Sequence, residues 1–153
     1  MNSQYTIRRA TRSDLETLVG FTVDEAMETE GSAPELDAVR IGVKAGLDGT
    51  APVEYWVAQT QEAQVIGAIS VVTKWSNFRG GYYWWIQSLY IVPDHRGTGL
   101  VDLLLDTVAD SAKDAGAIDL RLYVIQSNGR AMAVYRRYGF DVAPYNIMTR
   151  SLN

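Results

Sequence analysis

The sequence predicts an α/β fold in which helices cover both faces of a mixed β-sheet, with the element order βααβββαβαββ. Three observations predict it. Segments rich in β-branched and aromatic residues alternate with segments whose apolar residues recur at helical spacing. The 153 residues suffice for one domain and are too few for two full ones. Since no repeat, low-complexity tract or long linker interrupts the alternation, we expect one domain over residues 1–153.

The first three predicted elements are a strand and two helices. Residues 5–9 form the strand, and Thr11 or Ser13 can cap a first helix that Gly31 ends. Pro34 suits the first turn of a second helix, because its missing N–H would have no helical partner there. The apolar residues of this second helix, which we expect to face the core, are Leu36, Val39, Ile41, Val43 and Leu47.

The middle of the chain predicts three strands. Residues 55–58 and 65–72 are rich in strand-forming residues and flank the polar segment 60–64, a pattern typical of a hairpin. A longer strand is predicted from about Tyr82 to Val92. Pro93 stops this strand, because proline cannot donate a hydrogen bond to a sheet.

The last third of the chain alternates in the same way. Residues 100–115 carry apolar side chains at helical spacing, and Gly116 is placed to end that helix. The remaining predicted elements are a strand at residues 120–125, a helix at about 128–138 and two last strands around 140–142 and 145–150.

Composition excludes several classes of protein. The chain has no cysteine, which excludes disulfides and thiolate sites and makes the reducing cytoplasm its expected location. The net charge of −4 disfavours binding to nucleic acid through a basic surface. No stretch approaches the roughly 18 apolar residues that a membrane span needs, and the amino-terminal residues lack an apolar signal region, so we expect no membrane partner. The single histidine, His95, excludes the two-histidine zinc motif and is expected to be an exposed loop residue.

The most informative segment is the one that joins the long strand to the next helix, and we call its residues Arg96–Gly99 the glycine loop. The first N–H groups of a helix have no intrahelical partner, and the helix dipole adds partial positive charge there. Such a junction binds anions, and Arg96 adds a full positive charge. The two common phosphate-binding motifs are absent: there is no lysine-containing phosphate loop, and Asp102 stands where a dinucleotide-binding loop has its third glycine. A tight turn with no ligand stays an alternative.

Two blocks of residues resemble one family. Residues 96–101, Arg-Gly-Thr-Gly-Leu-Val, resemble the [QR]-x-x-G-x-[GA] signature of the GNAT superfamily of acyl-CoA-dependent N-acetyltransferases, with Ile91-Val92-Pro93 before it. Residues 128–140 are similar to the N-x-x-A-x-x-x-Y-x-x-x-G-F block of the same family, with every fixed position filled. The sequence departs from the pattern at Val101, where the family has glycine or alanine.

The resemblance implies transfer of an acetyl group from acetyl-CoA, as co-substrate, to a primary amine by direct attack in a ternary complex, with no metal. It implies that the loop amides from Arg96 to Val101 hold the diphosphate and that the strand ending at Val92 pairs with the pantetheine arm. Backbone amides near Leu89 to Ile91 would stabilise the oxyanion. Asn128 would contact the pantetheine. Tyr135 would protonate the departing thiolate, since a phenol with a pKa of about 10 stays protonated at neutral pH, although packing alone would also explain this residue. The implied cofactor-binding residues are Leu89, Tyr90, Ile91, Val92, Arg96, Gly97, Thr98, Gly99, Leu100, Val101 and Asn128.

The amine acceptor and the base are less determined. The long strand carries no carboxylate that could take a proton from the amine, so we expect the base elsewhere. Residues 24–37, here called the acidic segment, hold six acids and no lysine or arginine. Through Glu28 and Glu30 this segment would attract a cationic small-molecule or peptide amine, unless it is an ordinary solvated helix face. We expect a monomer or homodimer, and the alternative function is a non-catalytic acyl-CoA-binding sensor or interaction module.

Overall fold

The computed structural model describes residues 4–153. Its chain separates into a first compact unit that ends at Tyr123 and a second over Val124–Asn153. The elements of the first unit are β1 (Tyr5–Arg9), α1 (Leu15–Glu30), α2 (Leu36–Asp48), β2 (Val53–Thr60), β3 (Val65–Ser76), β4 (Gly81–Ile91), α3 (Leu100–Asp114) and β5 (Asp119–Leu122). The second unit contains α4 (Gly129–Arg137). Within residues 4–153, no helix combines the length and apolar character that crossing a membrane requires.

The sheet of the first unit has five strands in the order β1-β2-β3-β4-β5. Neighbours from β1 to β4 are antiparallel, including the predicted hairpin of β2 and β3, and β5 lies parallel to β4. Parallel neighbours need a crossover connection, which α3 supplies. The mixed α/β sheet that the sequence predicts is therefore confirmed.

Helices pack on both faces of this sheet. Leu18 and Val19 of α1 and Val43 of α2 form a buried cluster with Val57 and Ala68. The opposite face meets α3, because a Cβ added at Gly67 would lie 3.6 Å from Leu100. Successive residues of a strand point to opposite faces, so the neighbours Gly67 and Ala68 mark the two sides. The strand that leads to the glycine loop is thus fixed between two helical layers.

The exposed side of α2 corrects one expectation. Ile41 is 70% exposed and Leu36 is 51% exposed, whereas Val43 is buried. Ile41 lies two positions from both Val39 and Val43, which turns it by about 200° to the opposite side of the helix. Only one stripe of α2 therefore packs on the core.

The two last predicted strands, around residues 140–142 and 145–150, are wrong for the described chain: residues 140–153 form no strand. A strand exists only where its N–H and C=O groups pair with a neighbour, and composition alone does not supply that neighbour. Apolar side chains in this segment stay exposed, among them Val142, Ile147 and Met148. β5 is also shorter than the predicted 120–125, since it ends at Leu122.

Candidate active site

The second half of β4 has one paired edge and one open edge. Towards β3 its pairing continues to Ile91, opposite Gly67. Towards β5 the pairing ends at Ile86, opposite Leu122. Within the described chain, residues 87–91 therefore have a strand neighbour on one side only. Unpaired main-chain groups at such an edge are hydrogen-bonding positions for an added chain.

Two side chains already bond to this open edge. The N–H of Leu89 donates to Oε2 of Glu25, on α1, at 3.0 Å. The carbonyl oxygen of Ile91 accepts from Nε of Arg96 at 2.8 Å. Alternate residues of a strand direct their main-chain groups to the same edge, so Leu89 and Ile91 present a donor and an acceptor side by side.

The glycine loop follows directly after a short turn at residues 93–95. Gly97 and Gly99 both have φ in the left-handed region, +75° and +86°, and a Cβ added at either would meet nothing within 4 Å. Glycine is favoured there by its backbone conformation, and the space above the loop is open. The first turn of α3 closes with Leu103 N–H on the carbonyl of Gly99, so the N–H groups of residues 100–102 precede the helical ladder.

Arg96 connects the glycine loop to α1. Its Nη2 donates to both carboxylate oxygens of Glu28 at 2.9 Å, and each side chain is 44% exposed. Its guanidinium carbon also lies 5.4 Å from the ring centre of Tyr90. Arg96, which is predicted to bind an anion, and Glu28, which is predicted to attract an amine, thus form an ion pair with each other in this structure.

His95 differs from its expected exposed position. It is partly buried, and its Nδ1 lies 2.8 Å from the hydroxyl of Tyr5 on β1. The hydroxyl of Thr98 donates to the carbonyl of His95 at 2.7 Å. These contacts attach the glycine loop to the first strand, so His95 supports the loop's shape.

In addition to Glu28 and Glu30, which the sequence predicts, Glu25 is a further carboxylate and lies at the open edge. It lines a small open pocket between α1 and the sheet, together with Phe21, Tyr55, Ser88 and Tyr90. Burial raises the pKa of Glu25; the Leu89 N–H opposes that rise, and the nearby Glu28 carboxylate adds to it. A partly buried carboxylate with a raised pKa is suited to accept a proton near neutral pH. The signal in the sequence is its spacing, since Glu25 follows the buried Leu18 by seven residues on the inner face of α1.

Of the two acids predicted to attract the amine, only one lies beside the glycine loop. Glu30 is exposed at the last position of α1, whereas Glu28 contacts the glycine loop. Ser88, which lines the pocket, has its Oγ 2.5 Å from the Oγ of Ser70 on β3. The structure therefore brings Glu28, and not Glu30, to the predicted cofactor loop.

Asn128 and Tyr135 belong to the second unit. The Oδ1 of Asn128 accepts from the N–H of Ala131 at 3.1 Å, which caps α4. The ring of Tyr135 packs edge-to-face on Phe140, with ring centres 5.8 Å apart. Both residues have structural contacts within the unit, and the roles that the resemblance implies for them stay predictions.

Known proteins resemble this chain in sequence and in structure. The profile of the acetyltransferase (GNAT) family matches residues 18–140. A thialysine N-epsilon-acetyltransferase of Bos taurus is 36% identical over 55 residues, which are 36% of this chain and 32% of that protein. The crystal structure of a possible acetyltransferase from Clostridium difficile 630 has a TM-score of 0.90 and 30% identity, with 99% of both chains covered. A predicted acetyltransferase from Clostridium acetobutylicum, solved with acetyl-CoA, has a TM-score of 0.78 over 95% of this chain and 96% of that one, a likeness of fold at 22% identity. Since the family profile matches well over half of the sequence, the chain belongs to the GNAT family of acetyltransferases.

Proposed function

We propose that this acetyltransferase moves an acetyl group from acetyl-CoA to a primary amine by direct attack in a ternary complex. The observation that carries the proposal is the open edge of β4, which a short turn at residues 93–95 joins to the glycine loop and the amino terminus of α3. An edge of alternating donors and acceptors suits an extended amide-containing arm, and free helical N–H groups suit a diphosphate. One continuous surface thus offers both kinds of contact.

The residues present fit acetyl-CoA. The space above Gly97 and Gly99 is open, so oxygens of a diphosphate can approach the main chain closely. Arg96 lies at the start of this loop with a partly exposed guanidinium group. The Ile91 acceptor lies on the edge away from β3, where a pantetheine amide can donate to it, and the Leu89 donor on the same edge is left for the acyl carbonyl. We assign the diphosphate to residues 96–101 and the pantetheine to residues 89–92 and Asn128.

The bound thioester supplies an activated acyl carbon, and the chain's own groups do the rest. The Leu89 N–H donates to the carbonyl oxygen on which negative charge develops. The carboxylate of Glu25 takes one proton from the acceptor's ammonium group, which frees the nitrogen lone pair to attack, and Tyr135 gives its phenolic proton to the departing sulfur. After attack the nitrogen gives up its second proton, which restores the Tyr135 phenol. In balance, a nitrogen–carbon bond forms, the carbon–sulfur bond breaks, the sulfur leaves as a thiol, and the proton on Glu25 is released to solvent.

The acceptor that we propose is a small-molecule or peptide amine that is cationic before reaction. The carboxylates of Glu25 and Glu28 lie beside the open edge, where they attract an ammonium group. The aromatic side chains of Phe21, Tyr55 and Tyr90 supply apolar surface in the same pocket. The bovine relative's name describes acetylation of an ε-amine, which supports the same class of acceptor.

The test measures thiol release from acetyl-CoA with a panel of mono-, di- and polyamines, and the amide products by mass spectrometry. Amine-dependent thiol release, matched by acetylated amine, supports the proposal. Binding of acetyl-CoA without turnover on any amine would instead support a non-catalytic acyl-CoA sensor. No binding at all would overturn the assignment of the site.

A further inference from the structure

The contact between Glu25 and Leu89 is a competition for one donor. The Leu89 N–H lies beyond the last residue that β5 pairs, and the carboxylate of Glu25 accepts its hydrogen bond at 3.0 Å. An N–H group donates one strong hydrogen bond, so any ligand that pairs with the strand at this position must replace the carboxylate. The Glu25 carboxylate can therefore bond to Leu89 only while no ligand pairs with the strand at this position.

The same helix is attached to the edge at a second point. Glu28 lies three residues after Glu25, on the same side of α1, and holds Arg96, whose Nε bonds the Ile91 carbonyl. Glu25 and the Glu28–Arg96 pair thus cover the donor and the acceptor that an incoming chain would need. A chain that pairs with both positions must replace both the Glu25–Leu89 and the Arg96–Ile91 hydrogen bond.

When the Glu25 carboxylate leaves the Leu89 N–H, it remains in the pocket that its side chain lines. Its near surroundings are the ring of Phe21, the hydroxyls of Thr22 and Ser88, and the phenols of Tyr55 and Tyr90. The titratable groups beside Glu25 are Glu28 on its own helix, Tyr55 on β2 and Tyr90 on β4. Arg96 pairs with Glu28, and the Asp24 carboxylate acts on the phenol of Tyr90. Burial raises the pKa of both phenols, so they stay neutral hydroxyls at physiological pH.

We propose that Glu25 is the proton acceptor for the amine and that its carboxylate stays bound to the Leu89 N–H until the acyl carbonyl of acetyl-CoA takes that donor. The inference rests on the proposed function and assigns one residue to its base. Exchange at one N–H couples two events: the acyl group gains its donor, and the base is released into the acceptor pocket. Coenzyme A has no acyl carbonyl, so its binding leaves the Leu89 N–H bonded to Glu25 and does not release the base.

The exchange has a consequence for protons. The Leu89 N–H now holds the pKa of Glu25 below the level that burial alone would give. Loss of that donor raises the pKa further, so at pH values close to this pKa the folded protein takes up a fraction of a proton when the acyl carbonyl binds, and the fraction of Glu25 that stays ionised is the base. During transfer one ammonium proton passes to the carboxylate, which later returns it to solvent through the open pocket.

The first test compares acetyl-CoA with coenzyme A as probes of the wild type and the Glu25→Ala variant. Removal of the competing carboxylate should tighten acetyl-CoA binding about fivefold, the equivalent of one hydrogen bond, and leave the Kd of coenzyme A unchanged. Asp24→Asn is the matched control, because Asp24 is exposed on the same helix. An unchanged ratio of the two Kd values in Glu25→Ala would overturn the competition.

The second test measures proton uptake by calorimetry in buffers of different ionisation enthalpy. Uptake is expected for acetyl-CoA, but not for coenzyme A, in the wild type, and is expected to vanish in Glu25→Gln. For turnover, Glu25→Gln should lower kcat about 100-fold or more and remove the rise of rate with pH through the raised pKa of Glu25. Wild-type kcat and pH profile in Glu25→Gln would overturn the base assignment. Failure of the wild type to bind acetyl-CoA would instead overturn the proposed function.

Discussion

The Nη2 atom of Arg96 lies 2.9 Å from both carboxylate oxygens of Glu28, although 68 residues separate the two in the chain. The pair joins α1 to the glycine loop at the point where we place the diphosphate. A carboxylate there competes with phosphate for the same guanidinium group.

Replacing Glu28 by glutamine should therefore tighten acetyl-CoA binding. Both side chains of the pair are 44% exposed, so the ion pair contributes little and its loss should lower Kd by only about two- to fivefold. Calorimetric titration measures the change. Glu30→Gln removes the same charge from the exposed end of α1 and should leave Kd unchanged. Weaker binding in Glu28→Gln would mean that the pair positions Arg96 rather than competing with the cofactor.

A substitution at Gly99 tests whether the glycine loop binds the diphosphate. Its φ of +86° is matched by Gly49, with +80°, at the end of α2, and an added Cβ meets nothing within 4 Å at either position. Gly99→Asp adds bulk and negative charge where the diphosphate binds and should weaken acetyl-CoA at least tenfold, with loss of the ligand-induced rise in Tm. Gly49→Asp carries the same backbone strain and should keep wild-type affinity. Equal affinity in both variants would remove the diphosphate from this loop.

Tyr135 is the candidate proton donor. Tyr135→Phe keeps the ring that packs on Phe140 and should leave the Kd of acetyl-CoA nearly unchanged. Without the phenolic proton, kcat should fall about 10- to 1,000-fold. Tyr138→Phe, on the same helical end, is the control and should keep its kcat. A wild-type kcat in Tyr135→Phe would leave this residue a packing role only.

The charge of the acceptor should matter. If the carboxylates of α1 face the acceptor, kcat/KM for a diamine should exceed that for a neutral amine and fall as salt rises, since the Debye length is about 8 Å at physiological ionic strength. The Glu28→Gln/Glu30→Gln double variant should lose this preference selectively. Steady-state rates at two salt concentrations measure it. No salt dependence in the parent, and equal effects on charged and neutral amines, would identify the acidic segment as a solvated helix face.

Ionisation of Glu25 should also make the free energy of unfolding depend on pH. Its pKa in the folded protein is raised, so the folded state binds more protons than the unfolded state between the two pKa values. Stability is therefore lost as pH rises from the unfolded value of about 4.3 through the folded one, and stays lower above it. Glu25→Gln does not titrate and should melt above the wild type at pH 7, with a gap that closes near pH 4. A gap that is independent of pH would contradict the sign of this shift.

Local pattern predicted most of the helices and strands. Helical spacing from Leu100 onward placed α3 within one residue of its observed end at Asp114, and glycine at position 31 ends α1 with a φ of +75°. These features depend on neighbours within a few residues, so the sequence contains the information directly. The predicted strands at 140–142 and 145–150 depended on a distant partner, and the described chain does not form them.

By itself the sequence determined the order of elements from β1 to α4, the glycine loop with its helical amino terminus, and the family. The tertiary structure decided which of six acids in the acidic segment meets the site, by packing α1 so that Glu25 bonds Leu89 and Glu28 bonds Arg96. It also decided that β5 stops pairing at Leu122, which leaves the edge of β4 open. The reason is physical: helix and turn signals act over a few residues, whereas these contacts join residues 64 and 68 positions apart and form only once the core has packed.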